Sequence, residues 1–467
     1  MNLGKTNKYQ QLIRQLYHAL RSDDLAVRLS SADKLAKIGW KPSTKEEQVY
    51  YFIAGLMWSE LIRMGEAAVN PLLERIDDED FFVRKFSVDS LGDIQSASAV
   101  QPLIKILNSK FKGAKNSTKT AKHAFGNLMP TSSKETASKV ASPVSSDYYY
   151  REDKHYGTID LGKKYDLLRT SAALALGKIG SNAAVKHLLA ALNDKCPEVR
   201  DCAFKSICKI NKGAVSDLVD ALNGPDLNIK NHAVRALGII NDPNAVEPLI
   251  GLLDDPAPSI REATSETLGI IRDDRATDPL IKLLKDPELF VREAAAKALG
   301  RIGSEQAVIP LIKAFDDADA FVRTSIVKAL GALGDSRAII LFLTALKDED
   351  KWVRRAAVSE LKTIDGSLLI EPIIDALKDE SETVQEAAVN ALSDINDANA
   401  INSLIGILKS GKTGKIRERV AKVLKDMPIQ KLYGTKNKTD TADPVDRGID
   451  DNNWQSKLKG NFDPASS

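Results

Sequence analysis

The sequence predicts an all-α fold of stacked helix pairs, a solenoid, and three observations carry that reading. Between Ala245 and Asp335 one 31-residue unit occurs three times without a break, as AVEPLIGLLDDPAPSIREATSETLGIIRD, ATDPLIKLLKDPELFVREAAAKALGRIGS and AVIPLIKAFDDADAFVRTSIVKALGALGD. Within each copy the apolar residues recur at helical spacing in two runs. A landmark pair, aliphatic then basic or amide, returns every 30–32 residues from Leu168-Arg169 to Ile416-Arg417. Self-similarity of this period marks a layered array in which each unit buries its apolar face only against its neighbours.

The second copy shows why a unit is two helices. Leu280, Ile281 and Leu284 line one side of a short helix, and Pro279 is tolerated in its first turn, where the N–H has no partner to lose. Lys285, Asp286 and Pro287 make the turn. Val291, Ala294, Ala295, Ala298, Leu299 and Ile302 then line a second helix, which Gly303 ends. Neither helix is long enough to be stable alone.

In chain order, the first unit is centred on Val27-Arg28. The next landmark, Val83-Arg84, comes 56 residues later, so about 25 residues are extra. They predict a further helical pair at about 40–65, opened by a capping box of Ser43 with Glu46 or Thr44 with Glu47. Residues 1–108 thus form an N-terminal block of repeats. The helix at 99–107 lacks its second partner until Leu168-Arg169, which places an insertion, residues 109–166, inside a turn. Seven lysines and one acid fall between Lys110 and Lys139, and this composition predicts a mobile excursion. Residues 167–430 form a continuous array whose last helix ends near Met427. The tail, 431–467, is expected to be disordered, with Trp454 its conspicuous apolar residue.

The apolar fraction of 43% fills a continuous core, and the 6% aromatic content suits narrow layers of Leu, Ile, Val and Ala. Lys and Arg number 66 against 64 Asp and Glu, which argues against a nucleic-acid wrapper along the whole chain. Cys196, Cys202 and Cys208 fall in one repeat and make neither a disulfide framework nor a zinc site, so ordinary packing is expected of them. No signal-peptide core and no run of 18 apolar residues occurs, so a soluble cytoplasmic protein without a membrane span is expected.

An acid stands six residues before the landmark base in Asp255/Arg261, Asp286/Arg292, Asp317/Arg323 and Asp348/Arg354, among others. The Asp suits turn amides, and the Arg reaches an Asp of its own or a neighbouring layer, forming a structural ladder. On the second helices, two surface stripes carry net charges of −3 and +3. Glu262, Glu266, Glu293, Lys297, Lys328 and Arg355 lie on them as candidate contacts to another protein or protein complex. Lys112, Lys115, Lys119 and Lys122 of the insertion are candidate contacts to nucleic acid phosphates.

No phosphate loop, dinucleotide fingerprint or His-Glu-x-x-His motif is present. The five histidines make no metal cluster. No catalytic, cofactor-binding or metal residue is therefore predicted.

These landmarks, above all AVEPLIGLLDDPAPSIREATSETLGII and its copies, resemble HEAT-like repeats of the short type shared with phycobilin (PBS) lyase subunits. The resemblance covers residues 12–107 and 167–427. It implies a right-handed α-α superhelix, akin to armadillo solenoids, whose second helices line an inner surface that grasps a protein. It also implies an interaction scaffold or assembly factor, with lyase-like chromophore attachment as the alternative. The His-Glu pairs of HEAT-like di-iron hydroxylases are lacking.

Overall fold

The computed structural model describes residues 3–109, 160–361, 370–395, 398–409 and 415–426. Among the described residues every regular element is a helix. The chain is an all-α solenoid, and it divides into two compact units, Met1–Leu341 and Phe342–Ser467.

The first unit opens with α1 (Leu3–Ala19), α2 (Leu25–Lys37), α3 (Lys45–Ala54) and α4 (Trp58–Met64). Short first helices then alternate with longer second ones: α5 (Val69–Leu73) with α6 (Phe81–Ile94), and α7 (Val100–Asn108) with α8 (Leu161–Ile179). The series continues through α9 (Val185–Ala191) with α10 (Pro197–Ile210), α11 (Val215–Leu222) with α12 (Leu227–Ile240), and α13 (Val246–Gly251) with α14 (Pro258–Ile271). It proceeds to α15 (Thr277–Leu283) with α16 (Leu289–Ile302), and to α17 (Val308–Lys313) with α18 (Ala320–Leu333). The division between the units falls within α19 (Ile339–Ala345). The second unit contains α20 (Lys351–Leu361), α21 (Ile370–Asp375), α22 (Glu382–Asp394), α23 (Ala398–Lys409) and α24 (Lys415–Asp426). Its interior holds Val353, Ala357, Val384, Ala388, Leu392, Leu404 and Val420.

Several second helices start where the sequence supplies a side-chain partner for orphan amides. Asp226 accepts the Asn228 and Ile229 N–H groups, and Asp319 that of Phe321. Pro197 and Pro258 open α10 and α14, where no side-chain cap is made. Gly303 ends α16 in the left-handed region at φ 85°. Arg272 holds the equivalent position after α14 at φ 60°, a conformation that crowds its Cβ.

Successive second helices approach closely because of a second glycine, inside the helix rather than at its end. A Cβ on Gly269 would lie 2.7 Å from the Ala298 Cα, and one on Gly300 the same distance from that of Ala329. These two glycines serve interlayer contact, whereas Gly303 ends its helix. Each layer is closed from within by fully buried aliphatics, such as Leu280, Ala295 and Leu299.

Of the two capping boxes offered by the sequence, Thr44 with Glu47 forms. Glu46 instead pairs with Arg21 at 2.5 Å. Tyr50, Tyr51 and Ala54 of α3 join Leu16, Leu20, Ala32 and Leu35 in one core, and Trp58 of α4 stacks on Phe86 at 5.5 Å between centroids. Residues 110–159, with Lys112, Lys115, Lys119 and Lys122, lie outside the described residues, as do 427–467 with Trp454. Asp160 caps α8 through the Lys163 amide, so residues 161–166 are its first turns.

Candidate protein-interaction surface

The turns between helices are tied by a repeated arrangement of one Asp and one Arg. In the turn before α16, Asp286 accepts the Glu288 N–H at 2.9 Å. Arg292, six residues on, donates to the carbonyls of Asp286 and Pro287 at 2.9 and 3.1 Å. Its other guanidinium edge donates to the Asp317 carboxylate of the next layer at 2.6 and 2.9 Å. Arg261 does the same to Asp286 at 2.8 and 2.9 Å, and Lys230 reaches Asp255 at 2.8 Å. In the second unit Arg354 bonds the Asp348 carbonyl at 2.9 Å and the Asp379 carboxylate at 2.8 and 3.1 Å. Arg323 bonds the Asp317 and Ala318 carbonyls at 3.0 and 3.2 Å.

Within its own turn the Arg thus holds carbonyls, and its carboxylate partner lies 25 residues further on. Arg28 is the variation: its partner Asp78, at 3.0 Å, is 50 residues away, and both side chains are fully buried. The rung closes with α3 and α4 looped between. Burial is the largest influence on the carboxyls of Asp255, Asp286 and Asp317 and pushes them up. The cations and turn amides outweigh it and hold all three below the ordinary range. Hydrogen bonds donated to their Asp partners raise Arg261 and Arg292.

The rungs fix the second helices side by side and so define their solvent-exposed face. Glu262 and Glu266 stand on α14, Glu293 and Lys297 on α16, and Lys328 on α18. Lys297 pairs with Glu293 at 2.7 Å, and the Ser325 hydroxyl approaches Glu293 at 3.4 Å. Burial, with Glu266 and Glu293 nearby, pushes the Glu262 carboxyl up, Lys297 opposing. Glu266, Lys297 and Lys328 are exposed. Arg355 belongs to the second unit, where its guanidinium lies 5.5 Å from the Trp352 ring centroid.

Sequence reasoning missed the apolar members of this face. Phe290 is 58% and Phe321 67% exposed, one helical turn before Glu293 and Thr324 on α16 and α18. Ile239 and Ile270, at 60% and 53%, are exposed at the far ends of α12 and α14. The signal was present, since Phe290 and Phe321 occupy the same place before the landmark in consecutive copies. A hydrophobic residue at a helix start reads as core.

Among the described residues no group of three His, Cys, Asp or Glu side chains could hold a metal ion. No helix there is long and apolar enough to cross a membrane. Cys196, Cys202 and Cys208 are free and half-buried, and burial raises all three thiols, which opposes thiolate formation.

The family comparison follows the same layers. The HEAT repeats model matches residues 215–294, 277–362 and 341–425, the PBS lyase HEAT-like repeat model residues 168–194, and the HEAT repeat model residues 184–214. This is a HEAT-repeat protein. The chain is 33% identical over 186 residues to phycocyanobilin lyase subunit alpha of Picosynechococcus sp., covering 38% of this chain. The chain spans 65% of the length of that curated relative. Among solved structures, the complex of CpcE and CpcF of phycocyanin lyase from Nostoc sp. shares 23% identity, with 45% of this chain and 93% of that chain covered and a TM-score of 0.33. Kap121p shares 13%, with 85% and 46% covered and a TM-score of 0.48. Neither structural likeness bears on activity.

Proposed function

We propose that this HEAT-repeat chain is a non-enzymatic protein-interaction scaffold or assembly factor. Its partner docks on the solvent-exposed face of α14, α16 and α18. One observation carries the reading: Phe290 and Phe321 stand exposed on adjacent helices beside charges of both signs. Aromatic anchors within a charged surround are what a protein interface needs, the rings supplying contact area and the charges steering approach. The test is affinity capture from native cells with the full-length chain, identification of the partner by mass spectrometry, and titration of that partner against variants. Phe290→Ala with Phe321→Ala should weaken binding at least tenfold, as should reversing Glu262, Glu266 and Glu293 to Lys. Unchanged affinity in both sets would remove this surface from consideration.

A second reading, chromophore attachment of the lyase kind, draws support from the 33% identity to a phycocyanobilin lyase subunit. It expects the purified chain to bind a bilin or to accelerate its attachment to an acceptor protein. Absence of both outcomes counts against it.

A further inference from the structure

The ladder has a gap that opens into a cleft. Counting 25 residues from each landmark base gives Asp194 from Arg169, Asp255 from Lys230, Asp286 from Arg261 and Asp317 from Arg292, and each pair is bonded. The same count from Arg84 gives Ser109, whose hydroxyl is spent on the Ile106 carbonyl. Arg84 keeps the contacts within its own turn, to the carbonyls of Asp78 and Glu79. Its outer edge meets no carboxylate among the described residues.

At that place lies a cleft of about 660 Å³. Phe81, Ile106 and Leu161 give it apolar walls, and Arg84, Lys105 and Lys164 surround them with positive charge, against one carboxylate, that of Asp77. None of the three cations forms an ion pair among the described residues. Arg84 and Lys164 instead lie 5.9 and 5.7 Å from the Phe81 ring centroid. Burial lowers Arg84, and the nearby Asp80, Asp78 and Asp77 carboxylates oppose it without outweighing it, while Arg261 and Arg292, each hydrogen-bonded to an Asp, are raised. The extra length of α8, 19 residues against 14 in α14 and α16, builds the wall that carries Leu161 and Lys164. Arg200 also lacks an Asp at the 25-residue count, where Pro225 stands, but it is not among the residues lining this cleft.

We propose that this cleft docks an acidic peptide segment of a partner protein, an aliphatic pair followed closely by Asp. Its carboxylate would take the outer edge of Arg84 as Asp286 takes that of Arg261. The chain's own turns specify this chemistry: the Lys230 and Arg261 rungs are each filled by an Asp that closely follows a pair of leucines. Charge complementarity selects an acidic segment, and the apolar walls select its aliphatic pair. The site is separate from the exposed face of α14 to α18 and stands or falls without it.

The probe is a fluorescein-labelled peptide with the sequence of residues 249–259, LIGLLDDPAPS, titrated by fluorescence polarisation against the full-length chain. Binding should weaken with salt, as expected of a charge pair near the surface. It should fall at least tenfold when the peptide's Asp255 is replaced by Asn, and again in Arg84→Gln. Ser109→Asp supplies the carboxylate from within, so it should abolish peptide binding while the Tm holds or rises, which separates loss of the site from loss of the fold. The proposal is overturned by no binding, by equal affinity for the Asp and Asn peptides, or by undiminished binding to Ser109→Asp. It is also overturned by self-association of the chain that Ser109→Asp removes, which would assign the cleft to a second copy.

Discussion

Arg292→Ala should loosen the stack locally, and the structure says by how much relative to a matched control. Arg292 has two tasks, the Asp286 and Pro287 carbonyls of its own turn and the Asp317 carboxylate of the next layer. Arg200 has the first task alone, with the Asp194 and Lys195 carbonyls at 2.7 and 3.2 Å. The own-turn contacts, hydrogen bonds to a charged group, are worth about 1.5 kcal/mol in either place. Removing Arg292 also strands Asp317, whose side chain is 10% exposed and keeps the Asp319 amide as its hydrogen-bond donor. A nearly buried carboxylate left in that condition adds about 2 kcal/mol. Arg292→Ala should therefore lose about 3.5 kcal/mol and Arg200→Ala about 1.5 kcal/mol. A long repeat array need not unfold in one step, so the measurement is amide hydrogen exchange across α16 and α18. A difference of 2 kcal/mol appears there as roughly 30-fold faster opening in Arg292→Ala than around the mutated turn of Arg200→Ala. Equal acceleration in the two variants would refute the interlayer role of the Arg–Asp pair.

Three further outcomes follow from the same geometry. Gly300→Ala places a Cβ 2.7 Å from the Ala329 Cα, so it should lower stability by about 1–3 kcal/mol despite alanine's higher helix propensity, read as a fall in Tm. Arg272→Gly, relieving a side chain held at φ 60°, should raise stability by about 0.5–1 kcal/mol in the same assay. Because Asp255, Asp286 and Asp317 titrate below their ordinary range when folded, their contribution is complete above the unfolded value of about 3.9 and is lost as pH falls through the folded values. Urea midpoints should accordingly hold from pH 7 to 5 and drop below about pH 4, and the drop should shrink in Asp286→Asn.

The repeats were legible because helical periodicity and a fixed interval reinforce each other, so Val291, Ala295 and Leu299 announce their layer in any copy. The 25-residue partnership was not, because sequence spacing shows that Asp286 and Arg292 recur together without saying which Asp a given Arg faces. Across a stack of equal layers, own-turn and next-layer partners have the same period. Phe290 and Phe321 escaped for a different reason. Hydropathy cannot tell an apolar residue that faces solvent from one that faces a neighbour when both sit at a helix start. Spacing alone does not single out Gly269 and Gly300 either, since their role depends on an alanine 29 residues away, in another layer.

The buried clasp between Arg28 and Asp78 constrains which layers touch and leaves the length of chain between them unspecified. Growth at that point is therefore tolerated: α3 and α4 were accommodated while the fastening on either side stayed shut. An architecture joined this way can acquire new modules between floors without redesigning the floors themselves, and the same junction is where a foreign helical hairpin would be grafted with least disturbance.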